Sequence, residues 1–258
     1  MGRVISIASQ KGGTGKTSTC INLGAAFTLI GKKVLLLDND PQGHLTIGLG
    51  FDKKQRYTLK TILENVIEEL DFDPVQVILH HEEKIDIIPA NKSLGFMRIY
   101  LTTVTDGESV LKEFLDTVKG KYDYILIDCA PTLDLLSMNA LVASDSVIIP
   151  VELEQYAADG LEELLRTVKV IQSKYNPSLT IEGILYNKEK PRLKNTKRIK
   201  TAIEKAYGDQ IHIFKNTIRD TIRISEASNC GSSIFEYLPM SDAGDRYLKV
   251  ALEVEDHE

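Results

Sequence analysis

The residues with the clearest chemistry run from position 10: Gln10-Lys11-Gly12-Gly13-Thr14-Gly15-Lys16-Thr17. Closely spaced glycines let backbone N–H groups turn inward around a phosphate. A helix starting at Lys16 would add the positive end of its dipole. Lys16 is then placed to reach β- and γ-phosphates, and Thr17 offers a hydroxyl to Mg²⁺. The usual phosphate-loop pattern, G-x-x-x-x-G-K-[ST], has glycine where this chain has Gln10. The plain alternative is a glycine turn between a strand and a helix. The Lys16-Thr17 pair at such a junction favours nucleotide binding.

Carboxylates follow two later apolar runs. Asp38-Asn39-Asp40-Pro41-Gln42-Gly43 ends one, and Asp128 ends another at 124–128. An aspartate at the end of an apolar strand is either a helix N-cap or, beside a phosphate loop, a Walker B-type carboxylate that holds Mg²⁺ directly or through water. Positions i and i+2 point to one face of a strand, so a turn after Asp38 decides how Asp38 and Asp40 face the site. One of them would orient the attacking water.

These residues need elements that converge. Short apolar runs at 4–8, 34–37, 85–88, 124–127, 146–151 and 181–186 predict strands. Helical periodicity predicts helices at 16–30, 59–69, 110–119, 135–143, 161–175, 196–207 and 243–254. Continuous apolar strands alternating with helices predict an α/β fold with a mostly parallel, twisted sheet covered by helices on both faces. Ligands of such sheets bind beyond the carboxyl ends of the strands. The 53–101 stretch is the least regular and is expected to pack at the sheet edge. Without a linker or repeat, residues 1–258 read as one phosphate-loop ATPase domain. With 258 residues, 43% apolar and 26% charged, the chain can bury a full core. Its three dispersed cysteines, Cys20, Cys129 and Cys230, exclude a disulfide framework and give no C-x-x-C pair for zinc. No apolar run approaches a membrane span. A cytoplasmic location is expected.

The motifs together resemble the ParA/MinD superfamily of deviant Walker ATPases, and within it most closely the ParA/Soj partition ATPases. Lys11-Gly-Gly-Thr-Gly-Lys16-Thr17 is similar to the deviant Walker A motif, and Asp38-Asn-Asp-Pro-Gln-Gly43, Leu45-Thr46 and Gly48-Leu-Gly50 to the D-x-D-P-Q-G-N-x-T…G-L-G run. Ile125-Leu-Ile-Asp128, Pro131, Asn139-Ala-Leu141, Ile148-Ile-Pro150-Val151 and Arg223-Ile-Ser-Glu-Ala227 also fit. The resemblance implies that Gly12, Gly13, Thr14, Gly15, Lys16, Thr17 and Ser18 bind ATP. It implies that Thr17, Asp38 and Asp128 surround Mg²⁺, and that Asp40 orients the hydrolytic water. Lys11 would stabilise γ-phosphate charge across an ATP-dependent homodimer, and Asn187, in Gly183-Ile-Leu-Tyr-Asn187, would contact adenine. The chain departs from the pattern at His44, usually Asn, at Cys129-Ala130, and at 218–223, where Arg219 replaces a proline and Asp220 an arginine.

Net charge is −6, which argues against nucleic acid unless the basic residues cluster. They do: residues 188–200 hold seven basic side chains and one acidic one. Such a run neutralises phosphates without reading sequence, although a solvated surface is its commoner fate. The resemblance implies non-specific binding of double-stranded DNA by the ATP dimer, nucleoid association, and a ParB-like centromere-binding partner. Arg192, Lys197 and Arg198 are the first candidates, with Arg219 and Arg223 next. With a phosphate loop this near residue 1, an N-terminal helix-turn-helix and sequence-specific operator binding are not expected. A MinD-like membrane-cycling ATPase is the alternative. It needs a basic amphipathic C-terminal helix, whereas 245–258 is acidic, so no membrane partner is expected. Electron transfer would need a cluster-bridging cysteine, and Cys129 has no evident partner.

Overall fold

The computed structural model describes residues 2–191 and 193–257. Seven strands form one sheet: β1 (Arg3–Ile7), β2 (Val34–Asn39), β3 (Leu79–His80), β4 (Ile85–Ile88), β5 (Tyr124–Cys129), β6 (Ser146–Glu152) and β7 (Thr180–Asn187). Their order is β3-β4-β2-β5-β1-β6-β7, and every pairing is parallel except β3 with β4. The helices are α1 (Lys16–Leu29), α2 (His44–Gly48), α3 (Leu59–Ile67), α4 (Met97–Tyr100), α5 (Val110–Val118), α6 (Leu135–Ala143), α7 (Ala157–Lys174), α8 (Lys194–Tyr207), α9 (Ile222–Asn229), α10 (Ile234–Tyr237) and α11 (Asp242–Glu255).

The continuous apolar strands follow from burial on both faces. Leu35 and Leu37 of β2, Ile125 and Ile127 of β5, and Val147 and Ile149 of β6 face a core shared with α3, α5, α6 and α7. The residues between them, Leu36, Leu126 and Ile148, face a second core with α1 and α11. The period-2 alternation of strands is intact, but both faces are apolar. In the second core Phe27 of α1 stacks on Tyr124 of β5 with ring centroids 4.0 Å apart.

All six expected strands and seven expected helices are present. The sheet edge does come from the irregular stretch, which contributes α3, β3, β4 and α4. Four strands run past the ends of their apolar runs, β6 by the single residue Glu152. β2 continues through Asp38 and Asn39, β5 through Asp128 and Cys129, and β7 to Asn187. Polar residues there are carried by the ladder itself, with Asp38 opposite Asp128 and Asn187 opposite Glu152. β1 lies between β5 and β6, so the chain leaving β1 opens at the reversal of strand order where ligands of such sheets bind.

Candidate nucleotide site

The loop from Ser9 to Gly15 joins β1 to α1 at this reversal. Gly13 and Gly15 take φ values of 81° and 87°, the left-handed region that a side chain disfavours. A Cβ on Gly15 would also stand 2.8 Å from Asn187 Nδ2, so this loop and the end of β7 touch backbone to side chain. Gly15 is the N-cap of α1, and no side chain caps it. The first N–H groups of α1 are therefore open to an anion.

Lys16 is buried and its Nζ donates to the Lys11 carbonyl oxygen at 3.2 Å. Burial lowers its pKa, against the opposing pull of Asp128. Thr17 Oγ1 donates to Asp128 Oδ2 at 2.7 Å. The other oxygen, Asp128 Oδ1, is buried without a hydrogen-bond partner among the described residues. Burial first, and then the charge of Asp38, pushes the Asp128 carboxyl up to about 8, although Thr17 and Lys16 pull it down.

Asp38 and Asp40 have different surroundings. Asp38 is fully buried; its Oδ2 accepts from Thr46 N at 2.8 Å and Thr46 Oγ1 at 2.6 Å, and its Oδ1 from Asp40 N at 3.2 Å. Burial raises it to about 6, with the Thr46 bonds opposing. It stands behind the site, on the rung beside Asp128, and is not part of the cleft wall. The turn after Asn39 brings Asp40 onto that wall, where its Oδ1 accepts from Gln42 N at 2.9 Å.

The cleft has a volume of about 800 Å³. Gly12, Gly13, Gly15, Lys16, Thr17 and Ser18 line one side and Asp40 another, while Asn187 and the 218–222 segment close it. Thr14, within the loop, is buried and is not part of that lining. Asn187 Nδ2 donates to the Thr14 carbonyl oxygen at 3.0 Å and to Thr19 Oγ1 at 2.9 Å, while its Oδ1 is buried and unpartnered among the described residues. Lys11 stands outside this constellation, its Nζ 2.7 Å from Glu154 Oε2 in an exposed pair.

The basic candidates separate. Arg192 lies outside the described residues. Lys197 and Arg198 are exposed on α8. Arg219 lines the cleft and lies 3.7 Å from Asp242. Arg223, on α9, pairs with Glu226 at 2.8 Å. Cys129 is buried, which pushes its thiol up to about 12 and keeps it protonated.

Sequence reasoning gave no role to Thr46 or Glu154, and it offered Arg219 for DNA without anticipating that 218–222 forms a wall of the cleft. Thr46 stands in the quoted Leu45-Thr46 run, so its place in the motif was a signal. Glu154 meets Lys11 across 143 positions, and no local pattern announces it.

The AAA domain family model AAA_31 matches residues 2–181. The sporulation initiation inhibitor protein Soj of Bacillus subtilis is 42% identical over 255 residues, covering 98% of each chain. The chromosome partitioning protein ParA of Caulobacter vibrioides is 35% identical, covering 98% of this chain and 93% of its own. This chain belongs to the ParA/Soj partition ATPase family. Among solved structures, cobyrinic acid a,c-diamide synthase from Mycobacterium smegmatis with bound ATP analog and magnesium superposes with a TM-score of 0.87 at 29% identity, covering 100% of this chain and 96% of that one. The family membership accounts for the deviant loop: Lys11 and the glycines are present although Gln10 breaks the usual first position.

Proposed function

We propose that the chain is a Mg²⁺-dependent ATPase whose ATP-bound dimer binds double-stranded DNA without sequence preference and is released when a ParB-like centromere-binding partner stimulates hydrolysis. The observation that carries the ATPase reading is one cleft lined by an uncapped helix N-terminus, the buried Lys16 and Thr17, with Asp128 bonded to Thr17 from beneath. Family membership supports the partition role.

The residues fit a magnesium ion. Asp128 Oδ1 is a buried, unpartnered oxygen, and Thr17 Oγ1 already lies against the same carboxylate. Thr17 and Asp128 would hold the ion, and Asp38 would support Asp128 from the neighbouring rung. When bound, Mg²⁺ draws charge from the β- and γ-phosphate oxygens.

The chain's own groups do the rest. Backbone N–H groups of the loop and of α1 surround the phosphates. Lys16 exchanges the Lys11 carbonyl for phosphate oxygens. Asp40 orients the attacking water, which makes the reaction one of positioning and electrostatic stabilisation. Asn187 Oδ1 is free to accept from an exocyclic amine such as that of adenine. Lys11 leaves Glu154 and reaches the γ-phosphate held by a second copy.

For DNA, the support is the exposed face of α8. Lys188, Lys190 and Lys200 are paired with Glu152, Asp220 and Glu189, whereas Lys194, Lys197 and Arg198 have no ion pair among the described residues.

Lys16→Ala tests the phosphate role. Loss of a charged hydrogen bond of about 1.5–3 kcal/mol should weaken ATP binding roughly 10–100-fold. Equilibrium binding of fluorescent ATP reads this directly, and unchanged affinity would overturn the assignment. Turnover by the wild type with and without DNA then tests the coupling.

A further inference from the structure

One group of metal-ligating side chains lies apart from the cleft, near the start of β1. His212 precedes the residue that bridges Ile184 of β7 to Ile213. Glu253 lies on α11, and His257 follows that helix. Glu253 sits in the last turn of α11, four positions before His257. One donor atom from each of His212, Glu253 and His257 lies within 4.8 Å of the other two.

The group is closely packed on its buried side. His212 Nε2 stands 3.0 Å from Glu253 Oε1. The two imidazole rings meet edge to face, with centroids 4.1 Å apart. Glu253 is only 8% exposed, and its carboxylate is fixed by Lys215 N at 2.9 Å and Asn216 Nδ2 at 3.4 Å. A second buried carboxylate, Glu182, 5% exposed, places Oε1 3.7 Å from His257 Nδ1. Glu182 is itself held by Arg3 and by Ser146 Oγ at 2.7 Å.

We propose that His212, Glu253 and His257 bind a zinc-class divalent cation, with Glu182 or water completing the coordination. Two imidazoles and a carboxylate suit Zn²⁺ and its transition-metal neighbours, whereas Mg²⁺ prefers an all-oxygen shell. Bonds of about 2.0–2.2 Å put tetrahedral donors roughly 3.4 Å apart. The group must therefore contract, with His257, beyond the end of its helix, moving inward. Glu253 and the Lys215 amide keep the other side rigid. The ion would tie the end of α11 to the segment beside β7. Because the folded chain assembles the ligands, binding would stabilise it by linkage.

The test uses the full chain, stripped with chelator and free of nucleotide, in excess Mg²⁺. Its exposed thiol is removed by Cys230→Ser so that sulfur does not compete. Calorimetric titration with Zn²⁺ should give one ion per chain, and Co²⁺ should give a visible absorption band. Zn²⁺ should also raise the melting temperature. His257→Ala, at an exposed position, should fold normally yet bind at least about 10–100-fold more weakly, the loss typical of even an outer-shell partner. His212→Gln should do the same. The proposal is overturned if the parent chain takes up no Zn²⁺, or if His257→Ala titrates like the parent.

Discussion

Asp38 and Asp40 are two positions apart and differ in access to the site. Thr46 holds Asp38 in the interior, while Asp40 reaches the cleft, its carboxylate bonded to the local Gln42 amide. Asp40→Ala should therefore keep ATP affinity and lose turnover by about 100-fold, the cost of misplacing a reacting group. Single-turnover hydrolysis beside equilibrium ATP binding separates the two effects, and turnover at the wild-type rate would remove Asp40 from the mechanism. The buried pair Asp38 and Asp128 predicts a pH effect. Both folded-state values, about 6 and about 8, lie above the ordinary 3.8. This pair thus holds more protons in the folded chain than in the unfolded one between the ordinary carboxylate range and about pH 8, and its contribution to stability falls as pH rises through that window. Thermal melting of the Mg²⁺-free chain should drop between pH 6 and pH 8, and Asp128→Asn should flatten the drop. Added Mg²⁺ should also reduce it, because the ion favours the ionised pair. A wild-type profile with no slope over that range would contradict the buried-pair account.

The phosphate loop and the segment after β6 are joined by the Lys11–Glu154 pair, with side chains 37% and 51% exposed. An exposed pair of this kind contributes about 0–1 kcal/mol, too little to lock Lys11 but enough to occupy it. ATP should shift the chain from monomer to dimer in light scattering, and Lys11→Ala should abolish that shift. Glu154→Gln should lower the ATP concentration needed, by up to about fivefold. A Glu154→Gln chain that needs more ATP would show that Glu154 assists dimerisation and does not restrain it. Among the elements, α6 was legible to the residue, because apolar periodicity fills it and Asp134 caps it through the Leu136 and Ser137 amides. Periodicity failed where elements are short. The two residues of β3 and the four or five of α2, α4 and α10 offer less than two helical turns or one strand repeat. α9, with eight residues, starts at the Thr221 cap in a stretch of mixed polarity.

Across the whole molecule the charge is −6, yet α8 presents Lys194, Lys197 and Arg198 together on its exposed side. Net charge sets the long-range field, while local clusters make the phosphate contacts. A dimer doubles those contacts and links them to nucleotide. Replacing Lys194, Lys197 and Arg198 by Ala should weaken DNA binding equally on unrelated sequences. The salt slope should flatten by about one unit per phosphate contact removed. ATP turnover without DNA should be unchanged. Filter binding across a salt series measures both, and wild-type affinity in the triple variant would leave the α8 face as solvated surface.

The amino-acid sequence alone determined the sheet-and-helix alternation and the phosphate loop, because both are written in contiguous residues: apolar runs long enough to form buried strands, and glycines followed by Lys16-Thr17. It also placed aspartates at strand ends, where parallel sheets present ligands. Only the tertiary structure decided which aspartate faces the cleft. That depended on Thr46 and on the Asp38–Asp128 rung, which joins residues 90 positions apart. The same holds for Lys11 with Glu154, for Arg219 in the cleft wall, and for His212 meeting Glu253 and His257. Each is a contact between side chains from distant segments. Its geometry is set by how the helices pack on the sheet, and no local periodicity encodes it.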